Sequence, residues 1–418
     1  MDAEAAMTLQ ALPDDLLVHI FHLLDHDDEQ PPEQARFHSA EFCWAVPRVC
    51  RRWRRLCWDP RLLERISIDW WTTERNDHSL LAFLRSLCGW MAGAAGHVRA
   101  LMLEVDLPLE LPAAEQHKAA ALLANIVTAC GRGGLRSLHL FNSPAASGAL
   151  SSWLGMATDL RRLELAGCLR EEQSRRSDLA ALLRGLSQLE HLALSDMAFE
   201  VPEGPVPALP ASLTSLGLSS MSDYVPKQVD CQCLVRLQDL RVYECTVSAE
   251  QYEPLASLPA LARLSLARCL ELPACLGRLP ALRLLSLFLS PQLRPADPNI
   301  NLSDFQAALL DSALSTLSPT QLTQLQLADH DVQWPSTLPR LRGLQVLGLQ
   351  RHCPSQPLPT GTCLGSLRWA APLTAEAAAT ALPALATATR LEAFAVWSHA
   401  SVDQLQPILP DVIAWAAQ

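Results

Sequence analysis

The sequence predicts an α/β chain in which an N-terminal helical block precedes a solenoid with a curved parallel sheet, its helices and irregular turns on the convex side. Three observations carry that expectation. A pattern of the form LxxLxL recurs through most of the chain, and a single LPDDLLVHIF…VCRRWRRL block stands before it. Hydrophobic residues make up 49% and charged residues 18%, against roughly 25% charged in ordinary soluble domains, which suits an array whose units bury leucines against one another. At 418 residues the chain is too long for one ordinary core, and a repeat array resolves that difficulty.

Each repeat is justified by its geometry. Clear copies are Leu135-Leu138-Leu140, Leu160-Leu163-Leu165, Leu189-Leu192-Leu194, Leu213-Leu216-Leu218, Leu237-Leu240-Val242, Leu261-Leu264-Leu266 and Leu282-Leu285-Leu287, spaced by 25, 29, 24, 24, 24 and 21 residues. Weaker copies begin at Val98, Leu322, Leu344, Leu364 and Leu391. The spacing falls within the period of about 20 to 29 residues that marks leucine-rich repeats. On a strand, residues two apart share a face, so the last two leucines of each copy point one way while the first supports them from the preceding turn. A single strand cannot bury that face; stacked strands can.

The returning segments differ in kind. Ala113 to Cys130, Asp178 to Leu186 and Ser303 to Leu317 have helical spacing, with Ser303 expected as an N-cap. ELPACLGRLPALRLLSL, from Glu271, predicts a tighter and less helical return. SPQLRPADPNIN, ahead of Ser303, reads as an inserted surface loop, and VPEGPVPALP, from Val201, as a stiff connector. Alternation turns His139, Phe141, Arg162, Glu164, His191, Asp239, Arg241, Tyr243, Arg263, Phe288, Gln324, Gln326, Arg368 and Trp397 away from the leucines, onto the concave side. Aromatic residues and arginine dominate interface energetics, so the partner-binding candidates are Phe141, Arg162, Arg241, Tyr243, Arg263, Phe288, Arg368 and Trp397. The arginines of that set are the first candidates for reading an anionic motif.

Several function classes are disfavoured. A net charge of -11 supplies no basic field for nucleic acid. The basic cluster Arg48, Arg51, Arg52, Arg54 and Arg55 is expected to be neutralised by the nearby acidic run Asp25, Asp27, Asp28 and Glu29. No apolar stretch approaches the ~20 residues of a membrane span, and the acidic N-terminus is unlike a secretory signal, so a soluble intracellular protein is expected. The 13 cysteines include no CxxC pair. Reduced thiols are expected, with Cys168, Cys245 and Cys269 structural and with no metal at Cys231 and Cys233. GxSxG, HExxH, GxxxxGK[ST] and a strand-borne GxGxxG are absent from the sequence. A non-catalytic chain without cofactor is the expectation.

The N-terminal block is the most specific feature. LPDDLLVHIFHLL places Leu16, Ile20, Leu23 and Leu24 on one helical stripe, with Pro13 at the start and Asp14 and Asp15 in the first turn. VCRRWRRLCWDPRLL follows from Val49. Helices this short bury too little apolar area to stand alone, so part of their surface should meet a partner.

LPDDLLVHIF followed by VCRRWRRL and then DPRLL resembles the F-box, and an F-box ahead of leucine repeats resembles the F-box/leucine-rich-repeat receptors of SCF-type cullin-RING ubiquitin ligases. That resemblance implies an F-box at 9–69 with an insertion at about 25–41, a linker with cap helices at 70–97, about 12 repeats over 98–400, and a C-terminal cap at 401–418. It further implies docking on a Skp-type adaptor, and through it a cullin-RING complex, by Leu12, Pro13, Leu16, Ile20, Phe21, Val49, Cys50 and Trp53. The repeats would hold an unknown target protein, in the cytoplasm, the nucleus or both. Two features depart from the family pattern: the insertion DHDDEQPPEQARFHSAEF, and Pro47 where a helix would run. The alternative is a leucine-rich-repeat interaction scaffold, cytoskeletal or ciliary, unconnected with ubiquitin.

Overall fold

The computed structural model describes residues 12–24, 38–39, 49–70, 78–105, 112–142, 154–167, 183, 185–196, 209–219, 233–243, 249–269, 272–289, 302–328, 335–350, 366–370 and 393–397. The chain divides into two compact units, residues 1–200 and 201–418. The division falls where VPEGPVPALP begins. The loop 290–301, most of 178–186, and Pro47, Cys168, Cys231 and Cys245 lie outside the described residues.

The first unit opens with α1 (Asp14–Leu24), α2 (Arg51–Leu56) and α3 (Pro60–Leu63). Local chemistry sets their ends. Asp14 and Asp15 occupy the first turn of α1, where carboxylates complement the helix dipole. The Cys50 sulfur accepts from the Trp53 amide at the start of α2. Asp59 accepts from the Arg61 amide, and Pro60 supplies a preset φ in the first turn of α3. Two longer helices follow, α4 (His78–Ala94) and α5 (Ala113–Arg132). A β-carbon on Gly133 would lie 2.1 Å from the Ala95 carbonyl oxygen, so only glycine lets the ends of these helices approach so closely.

Six parallel strands form the ladder of this unit: β1 (His38–Ser39), β2 (Arg65–Trp70), β3 (Ala100–Val105), β4 (Ser137–Phe141), β5 (Arg162–Ala166) and β6 (His191–Ser195). The second unit carries eight more: β7 (Ser215–Ser219), β8 (Asp239–Tyr243), β9 (Arg263–Cys269), β10 (Leu284–Leu289), β11 (Gln324–Ala328), β12 (Val346–Gln350), β13 (Ser366–Ala370) and β14 (Ala393–Trp397). All twelve LxxLxL copies lead into strands, β3 through β14. The sheet starts earlier than the leucines announce, because Ile66 and Ile68, both fully buried, play the same part in β2, and His38–Ser39, from the inserted segment, pairs with it.

Leucines stand in register with leucines. Leu101, Leu138, Leu163 and Leu192 are successive partners in the first unit, as are Leu216, Leu240, Leu264, Leu285, Leu325 and Leu347 in the second. In the seven clear copies none of the motif side chains is more than 3% exposed. The first leucine closes the preceding turn: Leu160, Leu189, Leu213, Leu237, Leu282 and Leu344 each donate an amide to the carbonyl three residues back.

A second regularity fixes the spacing between repeats. The Arg99 carbonyl accepts the amides of both Arg136 and Ser137, that of Arg136 accepts Arg161 and Arg162, and that of Arg161 accepts Glu190 and His191. Thr214, Gln238, Ala262, Arg283 and Thr323 do the same in the second unit, so one carbonyl holds each strand entry of the next repeat. At the other end, Asn142, Gly167, Asp196 and Arg268 all have left-handed φ, between 49° and 65°. Each lies two residues beyond its last motif leucine: the first three follow a strand end, and Arg268 is the bulged residue between Ala267 and Cys269 of β9. Asn, Asp and Gly tolerate that conformation.

The returns vary as expected. Ala113–Arg132 and Leu302–Ser315 (α6) are α-helices, whereas Ala274–Arg278 is a single 3₁₀ segment. Ser303 is not the cap that its sequence position suggested: the helix already includes Leu302, which places Ser303 inside the first turn. No helix among the described residues is long and apolar enough to cross a membrane.

Truncating a register leucine removes packing on both neighbouring strands. Leu264→Ala, at a fully buried position between Leu240 and Leu285, is expected to destabilise the second unit by about 2–5 kcal/mol. Urea unfolding followed by circular dichroism checks this, and a loss below about 1 kcal/mol would contradict the stacked core.

Candidate functional site

In the N-terminal block the apolar residues of α1 split between two faces. Leu17, Val18 and Phe21 are buried with Leu56, Cys57 and Leu62, and Leu12 and Trp53 pack at the edge. The Phe21 and Trp53 rings meet edge to face at 5.0 Å, a favourable quadrupole arrangement. Leu16 stays 49% exposed and Val49 58% exposed, while Ile20 is half-buried and Pro13 exposed. Trp58, at 41%, is the third large apolar side chain of this block left partly in water.

Charge joins the helices. Asp14 receives hydrogen bonds from Arg52 at 2.7 Å and Arg55 at 2.9 Å, and the Arg52 bond, with both guanidinium charges, holds the Asp14 carboxyl below the usual carboxylate range despite some desolvation. Arg61 meets Asp15 at 3.1 Å and Asp59 at 2.7 Å. Of the basic cluster, Arg52 and Arg55 are therefore matched by Asp14, from the first turn of α1, while Asp15 meets Arg61, which lies outside that cluster. The run from Asp25 to Glu29, expected in that role, lies outside the described residues.

Two polar clusters occupy the sheet face that points away from the leucines. In the first unit, His139 Nδ1 lies 2.7 Å from Glu164, and Ser137 Oγ lies 2.9 Å from His139 Nε2. Arg162 donates to the other Glu164 oxygen at 2.6 Å. Desolvation pushes the Glu164 carboxyl up, but the His139 and Arg162 hydrogen bonds and charges outweigh it and hold the group down at about 2. In the second unit, Asp239 accepts from Arg241 at 3.1 Å and lies 3.3 Å from Arg263. The Asp239 side chain is 6% exposed and each arginine 56%.

These contacts revise several expectations. Phe21, expected at the adaptor, has 0% exposure and belongs to the core of the block, because the turn of α1 carries positions 17 and 21 inward together and 16 and 20 away from them. Cys50 is half-buried and caps α2, and Trp53 packs on Phe21, so both build the block. His139 and Asp239, expected to be exposed, are 7% and 5% exposed because neighbouring strands cover them with partners. Arg162, Arg241 and Arg263 face outward as expected, each paired with an acid of its own face. Phe141, Tyr243 and Phe288 are half-buried in the last outward row. Arg368 and Trp397 hold matching register positions on β13 and β14, and their side chains lie outside the described set.

Two features escaped the sequence reading. The buried stripe Leu17, Val18, Phe21 was legible as an i, i+4 spacing but competes with Leu16 and Ile20, which share it. The Asp14 link to Arg52 and Arg55 spans about forty positions, and nothing local announces it. Among the described residues no group of three or more His, Cys, Asp or Glu could hold a metal. Buried Cys57 and Cys130 thiols are pushed up by desolvation to about 11 and about 12, as suits inert structural cysteines.

Residues 9–69 match the F-box-like family model. No curated protein matches the chain at a significant level. The N-terminal block is thus an F-box-like domain, of a class that docks on Skp-type adaptors.

Because Glu164 titrates near 2 in the fold and near 4.5 when exposed, its contribution is complete above about 4.5 and lost as the pH falls through about 2. The size is on the order of 3 kcal/mol at neutral pH. Glu164→Gln should therefore be less stable than the parent at pH 7, with the gap shrinking by about half at pH 3. Paired urea titrations at the two pH values check this; a gap independent of pH would show that the ionised carboxylate contributes nothing.

Proposed function

We propose that this chain is the substrate-recognition subunit of an SCF-type ubiquitin ligase. Its F-box-like domain docks on the Skp-type adaptor, and a leucine-rich-repeat array offers the outward strand face to a target protein. The observation that carries this reading is the exposure of Leu16 and Val49 inside the residues that match the F-box-like model. Both belong to the set that the F-box resemblance assigns to the adaptor, and with Ile20 they remain outside the core of the block. Adaptor burial of such residues contributes roughly 1.5–3 kcal/mol each.

The chain acts without catalysis of its own. Holding a target beside a ligase converts a bimolecular encounter into one governed by effective concentration. Cytoplasm and nucleus, where cullin-RING ligases work, are the compartments this reading assigns.

Leu16→Glu combined with Val49→Glu should cut co-purification of the Skp-type adaptor at least tenfold while the chain's melting temperature stays within a few degrees of the parent. Phe21→Ala should instead lower stability by about 3–5 kcal/mol. Undiminished adaptor capture by the folded double variant would refute the docking role. A stable assembly captured without any cullin-complex subunit would favour a scaffold.

A further inference from the structure

We propose that Ser137, on the outward face of β4, is an activated nucleophile that takes an acyl group from a small activated ester, with His139 as its base and Glu164 positioning that base. This reactivity is separate from ubiquitin transfer, to which the chain brings no catalysis of its own.

Register builds the relay. Ser137 and His139 lie two apart on β4 and so share a face, and Glu164 is the register partner of His139 on β5. Ser137 Oγ lies 2.9 Å from His139 Nε2, and His139 Nδ1 lies 2.7 Å from Glu164. One ring thus faces a hydroxyl with one nitrogen and a carboxylate with the other. A serine nucleophile, its base and the acid that orients the base are joined in that order. No local motif announces the set, because its acid comes from the next repeat, 25 residues beyond the histidine.

Each member is held in place. His139 is buried while Ser137 is half-buried, so the ring is enclosed and the serine keeps a solvent-facing part. Arg162 braces Glu164 through Nε at 2.9 Å and Nη2 at 2.6 Å. Desolvation pushes the Glu164 carboxyl up, but the His139 and Arg162 contacts hold it at about 2. An ionised carboxylate only accepts, so Nδ1 carries a hydrogen, and with one proton on the ring the Nε2 lone pair faces the Ser137 hydroxyl. A ring with two protons has no lone pair to offer. The other groups facing His139 are Met102, its partner on β3, Glu104 further along that outward row, and Arg162 on β5. In the reaction Ser137 Oγ attacks the ester carbonyl carbon as its proton passes to Nε2. The Oγ–C bond forms, the bond from that carbon to the alkoxy oxygen breaks with its electron pair on the oxygen, and Nε2 gives the proton to the departing alcohol. Arg162, the register partner of Ser137, is 46% exposed and sets a positive charge beside the carbonyl oxygen.

The full chain is mixed with p-nitrophenyl acetate, release of p-nitrophenolate is followed by absorbance, and the acetyl group is located by peptide mass spectrometry. Expected is acetylation of Ser137 at a rate that rises with pH and levels off as the ring loses its second proton. Ser137→Ala should remove that label, and His139→Gln should slow labelling by about tenfold or more. Ser215→Ala, at the same strand position of β7, should leave it unchanged. Glu164→Gln should slow labelling and move the levelling to lower pH, because loss of the carboxylate disfavours the doubly protonated ring. A purely structural Glu164 would leave that pH unmoved. The position of the label and the pH profile are both read on the parent chain, so the test holds even where a variant unfolds. Acetyl groups on other side chains with Ser137 unlabelled, labelling of Ser137 indifferent to His139→Gln, or a rate that climbs with pH without levelling would each overturn the proposal.

Discussion

Constant parallel register is the constraint from which the other features of both units follow. Side chains alternate across a strand, so a slip of one position would carry every motif leucine into water and every arginine into the core. Register here is held twice. Aliphatic side chains meet at two consecutive inward rows, and the carbonyls of Arg99, Arg136, Arg161, Thr214, Gln238, Ala262, Arg283 and Thr323 each accept two successive amides from the next repeat. The first term is large but shared over many side chains. The second is small per bond and strongly directional. Apolar burial makes stacking favourable, and the paired amides fix where along the strand it occurs.

Fixed register determines which polar groups can meet. Along one strand, residues two apart share a face, and the next strand supplies a neighbour at the same level. Arg162 and Glu164 meet within β5 and His139 joins from β4; Asp239 and Arg241 meet within β8 and Arg263 joins from β9. The acid sits at the third strand position in one case and at the first in the other. Buried acids at such points also cost desolvation, which is offset only because each has two cationic or hydrogen-bonding neighbours.

Legibility in the sequence followed the same physics. Every leucine copy, strong or weak, marked a strand, because period-two burial leaves its own signature and needs no distant information. β2 was missed for want of leucine, although RISID alternates just as strictly and isoleucine suits a strand better. β1 has two residues, too few for any periodicity. The left-handed positions were visible only in part: Asn142, Gly167 and Asp196 are residue types that adopt positive φ, whereas the bulged Arg268 gives no such hint. At the candidate site, outward direction was readable and burial was not. His139 and Asp239 are enclosed by side chains from adjacent strands, and the identity of those neighbours depends on register across gaps of more than twenty residues. Exposure of any one strand residue is a property of three strands at once.

In the N-terminal block an exposed apolar line and a core line share one short helix. Rotation of 100° per residue sets Leu16 and Ile20 beside, not upon, the line of Leu17 and Phe21. The inner line meets Leu56, Cys57 and Leu62, and the Phe21 ring closes on Trp53. Asp14 then ties the start of α1 to α2 through Arg52 and Arg55, at the edge of the apolar contact where solvent still reaches. Exposed ion pairs of this kind contribute little stability, but they limit how α1 can roll on α2. Leu16, about half in water, and Ile20, half-buried, pack less completely than the inner line and leave apolar surface on the outside of α1.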